Sequence, residues 1–285
     1  MSATSTDAND ANFSSIPILD YSLLSSPSTK PLFISQLQHA LVNVGFLYLS
    51  NHPVPSSIID ALVDYIPKLF DLPFHEKEKM RMVHSPHFLG YSRLGAELTR
   101  GKVDNREQFD LATRYETKWR EGVEGIPEHW RVWGPSQVRV THCSLLSKPL
   151  SISLQTQWPD ESVIPGFRVV MERYLNEVQS LAYTFISLLA ESFGLPHNAL
   201  DRFYDTDENM QHRGKIVKYP VVTDPDANEQ GVGPHYDAGF LTFVRPTFNG
   251  NNQSQPERQC QPHVPSCCKP RHTEVYKSRT YRVSG

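Results

Sequence analysis

Apolar residues recur at steps of three and four through Phe167, Val170, Met171, Tyr174, Leu175, Val178, Leu181, Phe185, Ile186, Leu189 and Phe193. That spacing predicts a long amphipathic helix over 165–194, ended by Gly194 and Pro196. Leu32, Phe33, Leu37, Leu41 and Val44 predict a helix over 31–44 that Gly45 stops, and the apolar run 46–49 behind it reads as a strand. Ile58, Ile59, Leu62, Val63 and Ile66 mark another helix, for which Ser56 or Ser57 is the expected cap. Ile16 to Asp20 reads as an edge strand, the place where Pro17 is tolerated, and Gly214 to Tyr219 has β propensity. Glu76, Lys77, Glu78 and Lys79 read as a solvated helical face. Residues 88–115 mix turn formers with polar groups and fit a substrate-facing loop and strand as well as a surface hairpin, so no role is assigned there.

The chain has 285 residues, 39% of them hydrophobic, enough for a real core in one large domain or two small ones. A net charge of −3 gives no basic field for nucleic acid or an anionic membrane, so the expected partner is a small molecule; the oligomeric state is not legible. No apolar run approaches a membrane span, and residues 1–15 are polar, a disordered leader rather than a signal peptide. A cytoplasmic location is expected. Four cysteines argue against a disulfide scaffold.

The chemistry concentrates in residues 231–243, Gly-Val-Gly-Pro-His-Tyr-Asp-Ala-Gly-Phe-Leu-Thr-Phe. Alternate side chains of a strand share a face, so His235 and Asp237 would point the same way. An imidazole and a carboxylate suit a divalent first-row metal, and a second histidine from elsewhere would complete a facial triad with open positions for non-haem Fe(II). Each residue also has a plain reading, His235 as a hydrogen-bonded buried histidine and Asp237 as a turn residue before Gly239. Phe240 and Phe243 read as core.

The context narrows the choice. Lys218-Tyr219-Pro220, a turn-rich linker through Asn228, Gly231, His235-Tyr236-Asp237, Gly239 and Leu241-Thr242 resemble the core of the 2-oxoglutarate- and Fe(II)-dependent dioxygenases of the isopenicillin N synthase-like superfamily. Upstream, Ile16 to Asp20, Gly45-Phe46-Leu47-Tyr48 with Asn51-His52, Gly90-Tyr91 and Arg106-Glu107 resemble that family's N-terminal region. The resemblance implies an α+β fold, a double-stranded β-helix (jelly roll) core flanked by helices. It also implies Fe(II) with 2-oxoglutarate as cosubstrate and O₂. His235 and Asp237 become metal ligands, and Tyr219, otherwise a core tyrosine, contacts the far carboxylate of 2-oxoglutarate. Oxidative decarboxylation would yield succinate, CO₂ and an oxidant that attacks a substrate C–H bond.

Two stretches break the family pattern. After Trp133 to Gln137 the family continues Trp-Pro, which appears here as Trp158-Pro159 only beyond 138–157, a segment with no Asp or Glu that begins Val-Arg. We read it as a translated intron, with a surface insertion as the alternative, since long loops cost little. After Phe243 the chain again runs Val-Arg and then shows almost no β pattern, so the C-terminal part of the jelly roll, with its distal histidine and Arg-x-Ser pair, is expected to be missing. His272, ten residues before Arg282-x-Ser284, and His263, among prolines, are poor substitutes; with Cys260, Cys267 and Cys268 they make only a weak zinc set. The expected organisation is therefore a leader (1–15), an N-terminal dioxygenase region (16–137), an anomalous insertion (138–157), the helix and first part of the jelly roll (158–243) and an anomalous tail (244–285). The expected activity is oxidation of a small, secondary-metabolite-like molecule. The alternatives are an inactive family member with an incomplete metal site and an Fe(II) oxidase that does not use 2-oxoglutarate.

Overall fold

The computed structural model describes residues 15–85, 87–113, 115–116, 124–125, 137–141, 152–205, 210–220, 230–235, 240–246 and 273–277. These residues mix helices and strands and divide into two compact units.

The first unit draws on residues 1–53, 181–200 and 236–285. Its sheet has the order β1 (Ile18–Asp20), β2 (Phe46–Ser50), β11 (Thr273–Lys277), β10 (Leu241–Val244). β1 sits at the edge, parallel to β2, as Pro17 before it requires. Helix α1 (Lys30–Asn43) buries Phe33, Leu37, Ala40 and Leu41, and ends where Gly45 takes a φ of +84°, a conformation that costs a residue without Cβ nothing. β11 corrects the sequence reading of the tail. Thr273–Lys277 pairs antiparallel with β2 on one side and β10 on the other. Periodicity could not reveal it, because a five-residue strand in a polar context acquires its register only from the strands beside it.

The second unit takes residues 54–180 and 201–235. A three-stranded antiparallel sheet runs β3 (Gly90–Ser92), β6 (Glu107–Ala112), β9 (Arg213–Lys218). Its core joins Phe109, Leu111 and Ile216 of the sheet to Leu62, Leu69 and Phe70 of helix α2 (Ser56–Phe70), to Trp158, and to Phe167, Met171 and Leu175 of helix α4 (Phe167–Ser192). Gly214 is needed here, since a Cβ would lie 2.9 Å from Leu175 Cδ2. Pro55, not a serine, precedes α2. Its carbonyl accepts the Ile58 and Ile59 N–H groups at 3.1 and 3.3 Å, which leaves Ser56 and Ser57 inside the helix without a capping bond. The stripe of α4 is buried or half-buried from Phe167 to Leu189, but the helix stops at Ser192 and Phe193 is exposed. The Leu195 N–H reaches the Ala190 carbonyl at 3.0 Å around Gly194, φ +70°, which closes the helix and turns Phe193 outward.

Helix α3 (Phe74–Lys79) corrects another expectation. Lys77 is buried, and its ammonium donates to Glu107 Oε1 at 2.6 Å and to the Phe70 carbonyl at 3.0 Å. The partner lies thirty residues away, so the charge run looked uniformly solvated in the sequence.

Residues 137–141 and 152–156 form an antiparallel hairpin, β7 with β8, in which Gln137 pairs with Thr156. The register sets Gln137 opposite Thr156, two residues before Trp158, so the chain enters and leaves the 138–157 segment at the same end of the hairpin. Gln157, fully buried, has neither side-chain amide atom hydrogen-bonded. Deleting 138–157 puts Gln137 in its place before Trp158, the same residue type in the same slot. The deleted chain should fold with a melting temperature within a few degrees of the full chain, by calorimetry. Loss of cooperative unfolding would show the hairpin to be an integral part of the fold.

Candidate metal centre

Two short strands, β4 (Leu98–Thr99) and β5 (Lys102–Val103), make a hairpin whose exit, residues 104–106, holds the segment leading to His235. Asp104 is fully buried. Its Oδ2 accepts from Thr99 Oγ1 at 2.7 Å and faces Arg106 Nη2 at 3.3 Å; its Oδ1 accepts from Gln230 Nε2 at 3.0 Å and from the Gly233 N–H at 3.3 Å. The Asn105 N–H donates to the Gln230 carbonyl at 2.8 Å, and the Gln230 amide also reaches the Thr99 and Lys102 carbonyls. Burial pushes the Asp104 carboxyl up, but the hydrogen bonds from Thr99 and Gly233 with the Arg106 charge outweigh it and hold the pKa below the usual carboxylate value.

His235 follows this anchored segment. Its side-chain Nδ1 lies 2.8 Å from the Gly233 carbonyl oxygen. A carbonyl can only accept, so Nδ1 carries the proton in this contact and the lone pair of the neutral ring sits on Nε2. That is the tautomer and arrangement in which metal-binding histidines are held, with one ring N–H donated to a carbonyl or carboxylate. His235 is exposed rather than buried, against its plain reading as a core histidine.

Tyr219 stands just beyond β9. It is 50% exposed, which excludes the core-tyrosine alternative. Its ring lies against Gly231, where a Cβ would come within 2.9 Å of the ring edge. Its hydroxyl interacts with the Arg106 guanidinium, which also pairs with Glu97 Oε2 at 2.6 Å. Tyr219 and His235 therefore belong to one network, joined through Arg106, Asp104 and Gly233.

Asp237, His263, His272 and the cysteines Cys260, Cys267 and Cys268 lie outside the described residues. Among the described residues no three His, Cys, Asp or Glu side chains converge on one point. The donor chemistry nonetheless fits Fe(II): an imidazole with its Nδ1 proton tied back, followed two residues later in sequence by a carboxylate. Phe240 is 36% exposed, whereas Phe243 packs edge-on against Phe185 with centroids 6.0 Å apart. Sequence reading missed Asp104 and Gln230 altogether. The one signal was a cluster of polar residues in a hairpin with no visible partner.

No helix among the described residues is long and apolar enough to cross a membrane. Residues 16–137 match the family model described as the N-terminal region of non-haem dioxygenases in morphine synthesis. The chain is 39% identical over 235 residues to the 2-oxoglutarate-dependent dioxygenase frbJ of Dothideomycetidae sp., covering 82% of this chain and 56% of that protein. It is 34% identical over 239 residues to a 2-oxoglutarate-dependent dioxygenase of Gibberella zeae, covering 82% and 55%. It thus spans little more than half the length of these two relatives. Among solved structures, a full-length Neurospora crassa protein in complex with alpha-KG and thymine has a similar fold, with a TM-score of 0.60 at 19% identity over 92% of this chain and 73% of that one. By these similarities the chain belongs to the 2-oxoglutarate- and Fe(II)-dependent dioxygenase superfamily.

Proposed function

We propose that this chain carries part of a dioxygenase that uses Fe(II), 2-oxoglutarate and O₂ to oxidise a small molecule. In this reading His235 and Asp237 are two of the iron ligands, on a jelly-roll core. When bound, iron with 2-oxoglutarate supplies the oxidant and leaves succinate and CO₂. The protein's own residues orient and exclude. The Gly233 carbonyl holds the His235 ring with Nε2 as its donor atom. The Tyr219 hydroxyl, near the Arg106 guanidinium, offers a polar contact for the far carboxylate of 2-oxoglutarate. The observation that carries the reading is this imidazole tautomer beside a family-matched Tyr219.

Relatives named as 2-oxoglutarate-dependent dioxygenases support the reaction class; the proposed substrate is a small molecule of the secondary-metabolite kind, and the proposed setting is the cytosol. Purified protein with Fe(II), ascorbate and 2-oxoglutarate should release succinate as it consumes O₂, faster with a true substrate. Oxygen uptake without succinate would point to an oxidase independent of 2-oxoglutarate. Neither, in protein that is folded and iron-loaded, would point to an inactive member.

A further inference from the structure

We propose that Asp104 is a positioning residue for His235, setting the ring's tautomer and direction through the Gly233 backbone. The inference rests on the reading of His235 as a metal ligand. Gly233 is held at both of its polar groups: its N–H donates to Asp104 Oδ1 at 3.3 Å, and its carbonyl oxygen takes His235 Nδ1 at 2.8 Å. Between the two, the chain has little freedom. Pro234 fixes its own φ and restricts the residue before it, so the orientation Asp104 imposes on Gly233 passes to the carbonyl that holds the ring. Nothing larger than glycine fits at the joint, because a Cβ on Gly233 would lie 2.8 Å from the Thr99 methyl and 3.0 Å from the Gln230 amide.

The carboxylate is suited to the task. It is fully buried, and its two oxygens meet four groups: Thr99, Arg106, Gln230 and Gly233. Three of these lock it in place, and only the Gly233 bond points toward the ligand. A carboxylate kept ionised by its hydrogen bonds from Thr99 and Gly233 and by the Arg106 charge is also a stronger acceptor for a backbone N–H than a neutral group, so the joint is stiffer than an amide side chain would make it. Outer residues of this kind orient the ligating imidazole and raise its basicity.

The test is a two-bond proton–nitrogen correlation spectrum of the full chain labelled with ¹⁵N-histidine, with His235 assigned by loss of its signals in His235→Gln. The neutral ring should carry its proton on Nδ1 in the parent protein. In Asp104→Asn and Gly233→Ala it should shift to a tautomer mixture. Co(II) affinity, followed by its visible absorption, should fall by about tenfold or more in both variants. Gly233→Ala disturbs the joint while leaving the Asp104 carboxylate in place, so an Asp104 variant that fails to fold does not end the test. A purely structural Asp104 would lower the melting temperature but leave the tautomer unchanged, and that result in the folded variants overturns the proposal. Co(II) uptake that ignores His235→Gln would remove the ligand reading beneath it. Uptake that depends on His235 with an unmoved tautomer would remove this inference alone.

Discussion

Replacing Glu107 with alanine is expected to lower the stability of the fold by about 3–5 kcal/mol, the cost of leaving a buried charge without its partner. One carboxylate oxygen, Oε1, takes Lys77 Nζ at 2.6 Å and the Tyr91 hydroxyl at 2.7 Å, with the Lys77 and Glu107 side chains only 11% and 13% exposed. Through these bonds β6, β3 and α3 are tied at one point, and the ammonium also lies 5.4 Å from the centre of the Tyr91 ring. The Phe70 carbonyl remains to Lys77 in the variant but cannot balance its charge. Urea denaturation measures the loss. The double change Lys77→Met with Glu107→Met should recover most of it, because an apolar pair of similar volume avoids desolvating two ions. A loss below about 1 kcal/mol in Glu107→Ala would mean that water reaches the pair.

The same cluster sets an alkaline limit. Burial raises the Tyr91 pKa above its ordinary value, and the bond to Glu107 and its charge raise it further. The folded state thus holds this proton more tightly than the unfolded chain does. Its contribution is fully present below the ordinary tyrosine pKa of about 10 and is lost as pH rises beyond it. In Glu107→Gln that alkaline loss should be shallower but not absent, since burial remains.

Changing His235 to alanine should abolish stoichiometric Fe(II) or Co(II) uptake and the succinate release that depends on it. Asp237→Ala should weaken uptake similarly, since in the proposed reading each change removes a directly bound donor rather than a supporting one. A drop of at least about a hundredfold is expected, beyond the range typical of outer-shell changes. Tyr219→Phe should instead leave metal uptake intact and raise the 2-oxoglutarate concentration needed for half-maximal turnover, since in the proposed reading it removes one hydroxyl from the far carboxylate. Isothermal titration with Co(II), followed by steady-state kinetics, separates the two. Metal uptake unchanged by His235→Ala would remove the ligand assignment.

Much of the architecture was legible in the chain because it rests on short-range patterns. The stripe of α4, the stop at Gly45 and the edge strand behind Pro17 are all written within a few turns or strand steps. The pairing of 137–141 with 152–156, by contrast, could not be read from composition. What sequence alone could not reach were partners far apart in the chain. Lys77 looked like one of four solvated charges until Glu107 met it, and Asp104 lay in a stretch with no assigned role until Gln230 and Gly233 closed on it more than 120 residues later. β11 likewise has no periodicity of its own and becomes a strand between β2 and β10. Local patterning decides where helices and strands form and which residues offer donor atoms. Only the tertiary structure decides which buried charge finds its counterion and which tautomer a histidine keeps, because those depend on desolvation and on groups that the chain brings together last.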